Sequence, residues 1–269
     1  MQQNLLPEYL PQLLLLVKKR SYQKSAAGLA SKAFQLASLI EKHHHNSGNA
    51  LLYAKQGEQY GQLAEDVNLQ IAALIQQGNI YFDLGQSWRE LQAYQEAYQI
   101  CQKAKYNSEV SSLLLGRVYI GLAKAYGKFR DHQQQALSFL GMAHEIYPEY
   151  PEIDSAFSYS YHTRFTLSNH TGLTYLNIGQ PGQALSIFEQ IFMPPALVPR
   201  KLELLIRLST ASFALGNLEQ TYEHTSLAAA SARMLGSELR YHEAYNMYEQ
   251  MLGRWPEEAR VKTLAEHFR

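Results

Sequence analysis

Only one cysteine, Cys101, occurs in the 269 residues, so no intrachain disulfide can form and secretion gains no support. Its place on the second helix of a hairpin reads as a buried, inert thiol. Charge is also scarce, at 18% of residues against roughly a quarter in average proteins. The hydrophobic share of 46% excludes a disordered chain and can sustain a sizeable core. Neither sign of charge is in excess, with Lys plus Arg 24 and Asp plus Glu 24, so no global basic field draws the chain to nucleic acid. The apolar run near the start, Leu13 to Val17, is preceded by Glu8 and closed by Lys18, Lys19 and Arg20. It is too short for a membrane span and has the wrong order for a signal peptide, which leaves a cytoplasmic protein without membrane contact as the expectation. Catalytic signatures are missing too: there is no Walker-type phosphate loop, no HExxH and no Gly-x-Ser-x-Gly elbow. A non-enzyme with no cofactor is expected.

What the chain does have is repetition. Leu74, Gly78, Tyr81, Leu84 and Gly85 precede Ala93, Ala97 and Ile100. Tyr119, Leu122, Ala123 and Tyr126 precede Ala136, Leu140, Ala143 and Pro148. Gly172, Tyr175, Ile178 and Gly179 come before Ala184, Phe188 and Ile191, and Leu205, Leu208, Leu215 and Gly216 before Thr221, Thr225 and Ala228. Apolar residues recur at helical spacing, so each helix has a face that needs a partner. Small residues such as Gly78, Ala123 and Gly172 allow close packing of neighbours. Gly85, Gly179 and Gly216 fit helix C-termini, where a left-handed backbone is cheap only for glycine.

These four stretches resemble tetratricopeptide repeats, helix-turn-helix units of about 34 residues that stack into a solenoid. The resemblance implies an all-α, right-handed superhelix of about five hairpins with a C-terminal helical cap. The expected organisation is a single domain over 1–269. It comprises an N-terminal helix (1–22), a degenerate first repeat (24–68), four repeats (69–236) and a cap (238–269). The clearer repeats cover 69–106, 113–148, 165–194 and 202–235, and a short first helix is expected over 8–20. Two segments interrupt the spacing. After Pro148, Asp154 is positioned to cap a helix carrying Phe157, Tyr161 and Phe165 at fourfold spacing, a stripe that suits either core packing or ligand contact. Met193 to Pro199 holds three prolines and breaks the helix. Trp255 and Pro256 form a turn before a last helix over Glu257 to Phe268, the cover a solenoid end requires.

Other clusters are weaker. His43, His44 and His45 point in different directions on a helix end, and His162 and His170 have no third donor nearby in sequence, so no metal is expected. Lys18, Lys19, Arg20, Lys24 and Lys32 read as a solvated face rather than a DNA contact. Glu145, Glu149 and Glu152 are too spread for paired-carboxylate hydrolysis.

In proteins of this family the first helix of each hairpin lines the concave wall. Carried onto this chain, the family positions include Ile75, Asn79, Phe82, Arg117, Lys124, Asn169, Asn177 and Phe213, and neighbouring positions add His170 and Arg207; these ten are the expected peptide-binding residues. The asparagines can hold a peptide backbone, the cations a carboxylate, and Ile75, Phe82 and Phe213 apolar side chains. The array is also similar to the sensor domains of bacterial helix-turn-helix transcriptional regulators, of the Rap and PlcR type, which bind short peptides. The resemblance implies a peptide or protein partner, no direct nucleic-acid contact, and room for a homo-oligomer. A rival resemblance is to co-chaperone repeats that clamp acidic protein tails. Arg117, Lys124 and Asn79 match part of such a clamp.

Overall fold

A computed structural model describes residues 5–104, 110–160, 162–192 and 198–268 of the chain. Among them every regular element is helical. The first seven α-helices are α1 (Leu5–Val17), α2 (Gln23–His43), α3 (Ser47–Leu63), α4 (Val67–Asp83), α5 (Ser87–Ala104), α6 (Ser112–Tyr126) and α7 (Gln133–Ile146). The rest are α8 (Phe157–Ser160), α9 (Arg164–Asn177), α10 (Pro181–Glu189), α11 (Val198–Leu215), α12 (Leu218–Leu235), α13 (Glu238–Arg254) and α14 (Ala259–Thr263). The chain ends in a 3-10 turn, Leu264–Phe268. Short turns fold most helices back on their predecessors, so neighbours pack in pairs. Contacts divide the chain into two compact units, Met1–Lys42 with Asn46–Leu167, and His43–His45 with Ser168–Arg269.

Helix ends follow from local chemistry. Asp66, Ser111 and Asn217 accept the backbone N–H groups of Leu69, Leu114 and Gln220, satisfying donors that have no partner in a first helical turn. Gly85, Gly179 and Gly216 take φ values of 68°, 80° and 79°, the left-handed conformation expected of them, and Gly236 does the same after α12 at 63°.

Pairing in the first unit rests on small and hydroxylated side chains. Ser31 Oγ donates to Gly57 O at 2.6 Å and Ser38 Oγ to Ala50 O at 2.7 Å, which stitches α2 to α3. Between α4 and α6 lies the ring of Tyr94, brought in from α5. A Cβ added at Gly78 would stand 2.7 Å from that ring, and one at Gly121 only 2.1 Å. Gly78 therefore makes room for an aromatic ring, not merely for close backbone approach. The second unit repeats the device: a Cβ at Gly172 would meet Phe188 at 2.3 Å.

Three expectations change in detail. The first helix starts at Leu5 and contains Pro11. Asp154 does not only turn its own segment, where it accepts Ala156 N at 2.8 Å; it also accepts Ser111 Oγ at 2.6 Å and Leu113 N at 3.2 Å, and so caps α6. The last helix is short, Ala259–Thr263, and tightens into the 3-10 turn. That end still covers the apolar face of the last pair. Met247, Met251, Val261 and Leu264 are buried among Phe213, Trp255 and Phe268. Of the two expected interruptions, Tyr161 and residues 193–197 lie outside the described residues.

Candidate functional site

The first unit holds a cavity of 340 Å³ lined by α2, α4, Ser158, Tyr159, Ser160 and His162. Leu36, Leu39, Ala72 and Ile75 give it apolar lining, while Lys32, Lys42, Gln76, Asn79 and His162 bring polar groups. No carboxylate lines it among the described residues. Lys32 lies over the Tyr159 ring, 5.0 Å from its centroid, and has no acidic partner among the described residues. Burial, with Asp66 and Asp154 nearby, raises the Tyr159 phenol above its ordinary value. Those two acids are engaged at helix N-termini, Asp66 on α4 and Asp154 on α6. Lys42 pairs with Asp83 at 2.9 Å.

One side of the cavity connects to a buried polar cluster. Asn79 Oδ1 accepts both Tyr94 Oη, at 2.9 Å, and Arg117 Nη2, at 2.7 Å. This fixes which end of the amide is used internally and leaves Nδ2 without an acceptor among the described residues. Beyond Arg117, Glu90 holds two ammonium groups, Lys124 at 2.8 Å and Lys128 at 2.7 Å. Glu90 and Lys124 are wholly inaccessible. Both ammoniums also sit over the Phe82 ring, at 3.7 and 4.6 Å from its centroid. Desolvation pushes the Lys124 ammonium down to about 8, against the pull of Glu90. Arg117 is 1% exposed and has no carboxylate in ion-pairing range among the described residues. Lys42 thus pairs with Asp83, Lys124 and Lys128 share Glu90, and Arg117 donates to neutral oxygens.

The second unit balances its charges. Arg207 approaches Glu203 and Glu243 at 3.6 and 3.7 Å, and Arg240 the same two acids at 3.3 and 2.6 Å. Asn169 Nδ2 adds a donor to Glu203 at 3.0 Å. The closed square joins α9, α11 and α13 with two cations and two anions.

The ten residues expected on an open wall therefore fall into different surroundings. Ile75 and Asn79 line the cavity. Arg117 and Lys124, expected to meet a ligand carboxylate, are inside the protein, and Lys124 meets a carboxylate of the chain itself. Phe82 is the half-buried platform for two lysines. In the second unit Asn169 and Arg207 are buried in the charge square, and Phe213 packs edge-on against Trp255 in the terminal cap. His170 and Asn177 are half-buried on α9. The sequence did not single out Lys42, Leu36, Leu39 or Glu90, and it assigned Lys32 to a solvated face. The apolar and basic residues of α2 at helical spacing, Lys32, Leu36, Leu39 and Lys42, were the available signal.

Elsewhere the chemistry is quiet. Cys101 is buried, and desolvation pushes its thiol up to about 12, away from reactivity. No group of three metal-binding side chains occurs among the described residues. None of the described helices is long and apolar enough to cross a membrane. No family model matches the sequence, and no curated protein matches it. The cavity is what remains: a small, mainly apolar recess with amide and cationic donors at its edge, a composition common to ligand sites.

Proposed function

We propose that this chain is a non-catalytic peptide- or protein-binding module whose helix pairs stack as a right-handed tetratricopeptide-type superhelix. By its resemblance it serves as the ligand-sensing part of a bacterial regulatory protein in the cytoplasm. The ligand enters between α2 and α4, and the cavity of the first unit receives its anchoring side chain or terminus. The observation that carries this is the lining: Leu36, Leu39 and Ile75 beneath, with Asn79 and two lysines at the edge. At 340 Å³ the recess lies near the lower end of ligand pockets, roughly 300–1,000 Å³, so it admits a short segment and not the length of an extended peptide. Contacts to the rest of such a peptide fall outside it.

Panning a random heptapeptide display library against the intact chain tests the reading. Leu39 is partly exposed and lines the cavity, so Leu39→Arg fills the recess while leaving the fold standing. Enrichment on the wild type that disappears on Leu39→Arg is expected. Enrichment that survives the substitution, or none above a blank surface, contradicts it.

A further inference from the structure

We propose that α1 and the turn after it form a surface that rests on an anionic lipid bilayer. The claim is independent of the cavity and of what that cavity binds. It starts from the side of α1 that the fold uses. Leu10, Leu13, Leu14 and Val17 recur at helical spacing and are shielded wholly or in part, with Val17 buried beside Ala26 and Ala27 against Tyr60 and Ala64. On a helix that otherwise meets only water, the opposite side would be polar. Here it is not: Tyr9 is 51% exposed, Leu15 61% and Leu16 37%.

Positive charge stands beside this apolar face. Leu16 O accepts Lys19 N at 2.9 Å and Lys19 O accepts Tyr22 N at 3.0 Å, a turn that keeps Lys18, Lys19 and Arg20 at the end of α1. All three are exposed, and none has an acidic partner among the described residues. Glu8 lies in the first turn of the helix, away from them. Cations at a helix C-terminus suit its dipole, but the dipole gives no reason for two leucines to stand in water next to them. A bilayer surface meets both needs: its acyl boundary takes Leu15 and Leu16 while anionic headgroups take the cations. Tyr9 and Tyr22, each more than half exposed, flank the leucines with rings that have an apolar body and a polar tip, which suits the headgroup level. Thirteen residues are too few to span a bilayer, but lying along its surface needs no such length. Nucleic acid would reward the charges and not the leucines, which favours lipid.

Co-sedimentation of the intact chain with phosphatidylserine-rich and with pure phosphatidylcholine vesicles tests this. Binding to the first at least about tenfold tighter than to the second is expected. It should fall as salt shortens the screening length from about 10 Å at about 0.1 M to about 3 Å at about 1 M. Lys18→Gln/Lys19→Gln/Arg20→Gln should remove the preference, and Leu15→Ser/Leu16→Ser should weaken binding at least about fivefold. Lys262→Gln, paired with Glu257 outside α1, should bind as the wild type does. No binding to either vesicle overturns the proposal, as does equal binding to both. Binding that survives both sets of substitutions places the contact elsewhere and overturns it too. Duplex DNA bound as tightly as the anionic vesicles, with no effect of Leu15→Ser/Leu16→Ser, would mark the patch as a nucleic-acid site and contradict the lipid assignment.

Discussion

The two units bury polar clusters of different balance, and on the proposed reading the difference separates a binding wall from a structural one. In the second unit Arg207 and Arg240 share Glu203 and Glu243, each charge touching two of the opposite sign. In the first, Glu90 is shared by Lys124 and Lys128, and Arg117 contacts neutral oxygens and the Tyr94 ring. Packing does not distinguish them, since each places an aromatic ring against a helix glycine. A closed square of charges can hold helices together without a ligand. Three cations gathered around one buried acid leave the first cluster without that closure.

The comparison breaks most visibly at the acids. Glu90→Gln leaves an inaccessible ammonium without its counter-charge and should cost about 3–5 kcal/mol in urea unfolding. Glu203→Gln leaves Glu243 beside both arginines and should cost only about 1–2 kcal/mol. Equal losses would mean that the two clusters are alike. The shared packing gives the converse expectation. Gly121→Ala and Gly172→Ala should each cost about 2–3 kcal/mol, because a Cβ cannot fit at 2.1 or 2.3 Å from a ring held by its neighbours. Circular dichroism melts of the pair check it, and a loss at one glycine alone would contradict the common device.

Alkaline pH sharpens the contrast further. Lys124 is held at about 8 in the folded chain, below its ordinary 10.5, so between those values the unfolded chain binds more protons. The cost of burying the ammonium is present in full below pH 8 and is relieved as pH rises through that window. Tyr94 and Cys101, both raised to about 12, act in the opposite direction once pH passes their ordinary values of 10 and 9. Lys124→Met keeps the Glu90–Lys128 pair and both opposing groups. The stability of wild type relative to Lys124→Met should therefore increase from pH 7.5 to 9. A flat difference would contradict the burial of a charged Lys124. The smallest effect is expected at Lys32, where Lys32→Gln should change stability by no more than about 0.5 kcal/mol, as at other exposed positions.

How much of this was legible in the sequence depends on distance along the chain. The pairing of helices and the left-handed turns at Gly85, Gly179 and Gly216 are local, set by spacing within a hairpin and by a glycine that must follow it. Cys101 was legible for the same reason, lying on an apolar helix face. Asp154 was placed at a helix start, but its main work as a cap is on α6, far earlier in the chain. The site was harder. Position within a repeat put Arg117 and Lys124 on the inner wall, yet no spacing rule says that Glu90 from another helix reaches Lys124 or that Tyr94 fills the gap left by Gly78 and Gly121. The recess itself needs Lys32 and Leu39 from α2 to face Ser158 and Tyr159, a meeting decided by tertiary packing alone.

The contrast between the walls is tested most directly by covalent mapping. A heptapeptide enriched by the panning and carrying a benzophenone would be photolysed with the intact chain and the adducts located by mass spectrometry. Labelling confined to fragments containing Leu36, Leu39, Ile75 or Asn79, and suppressed by excess unlabelled heptapeptide, is the predicted result. Competable labelling of peptides containing Glu203, Arg207 or Arg240, with the α2 and α4 peptides untouched, would contradict the assignment of the first unit as the binding wall.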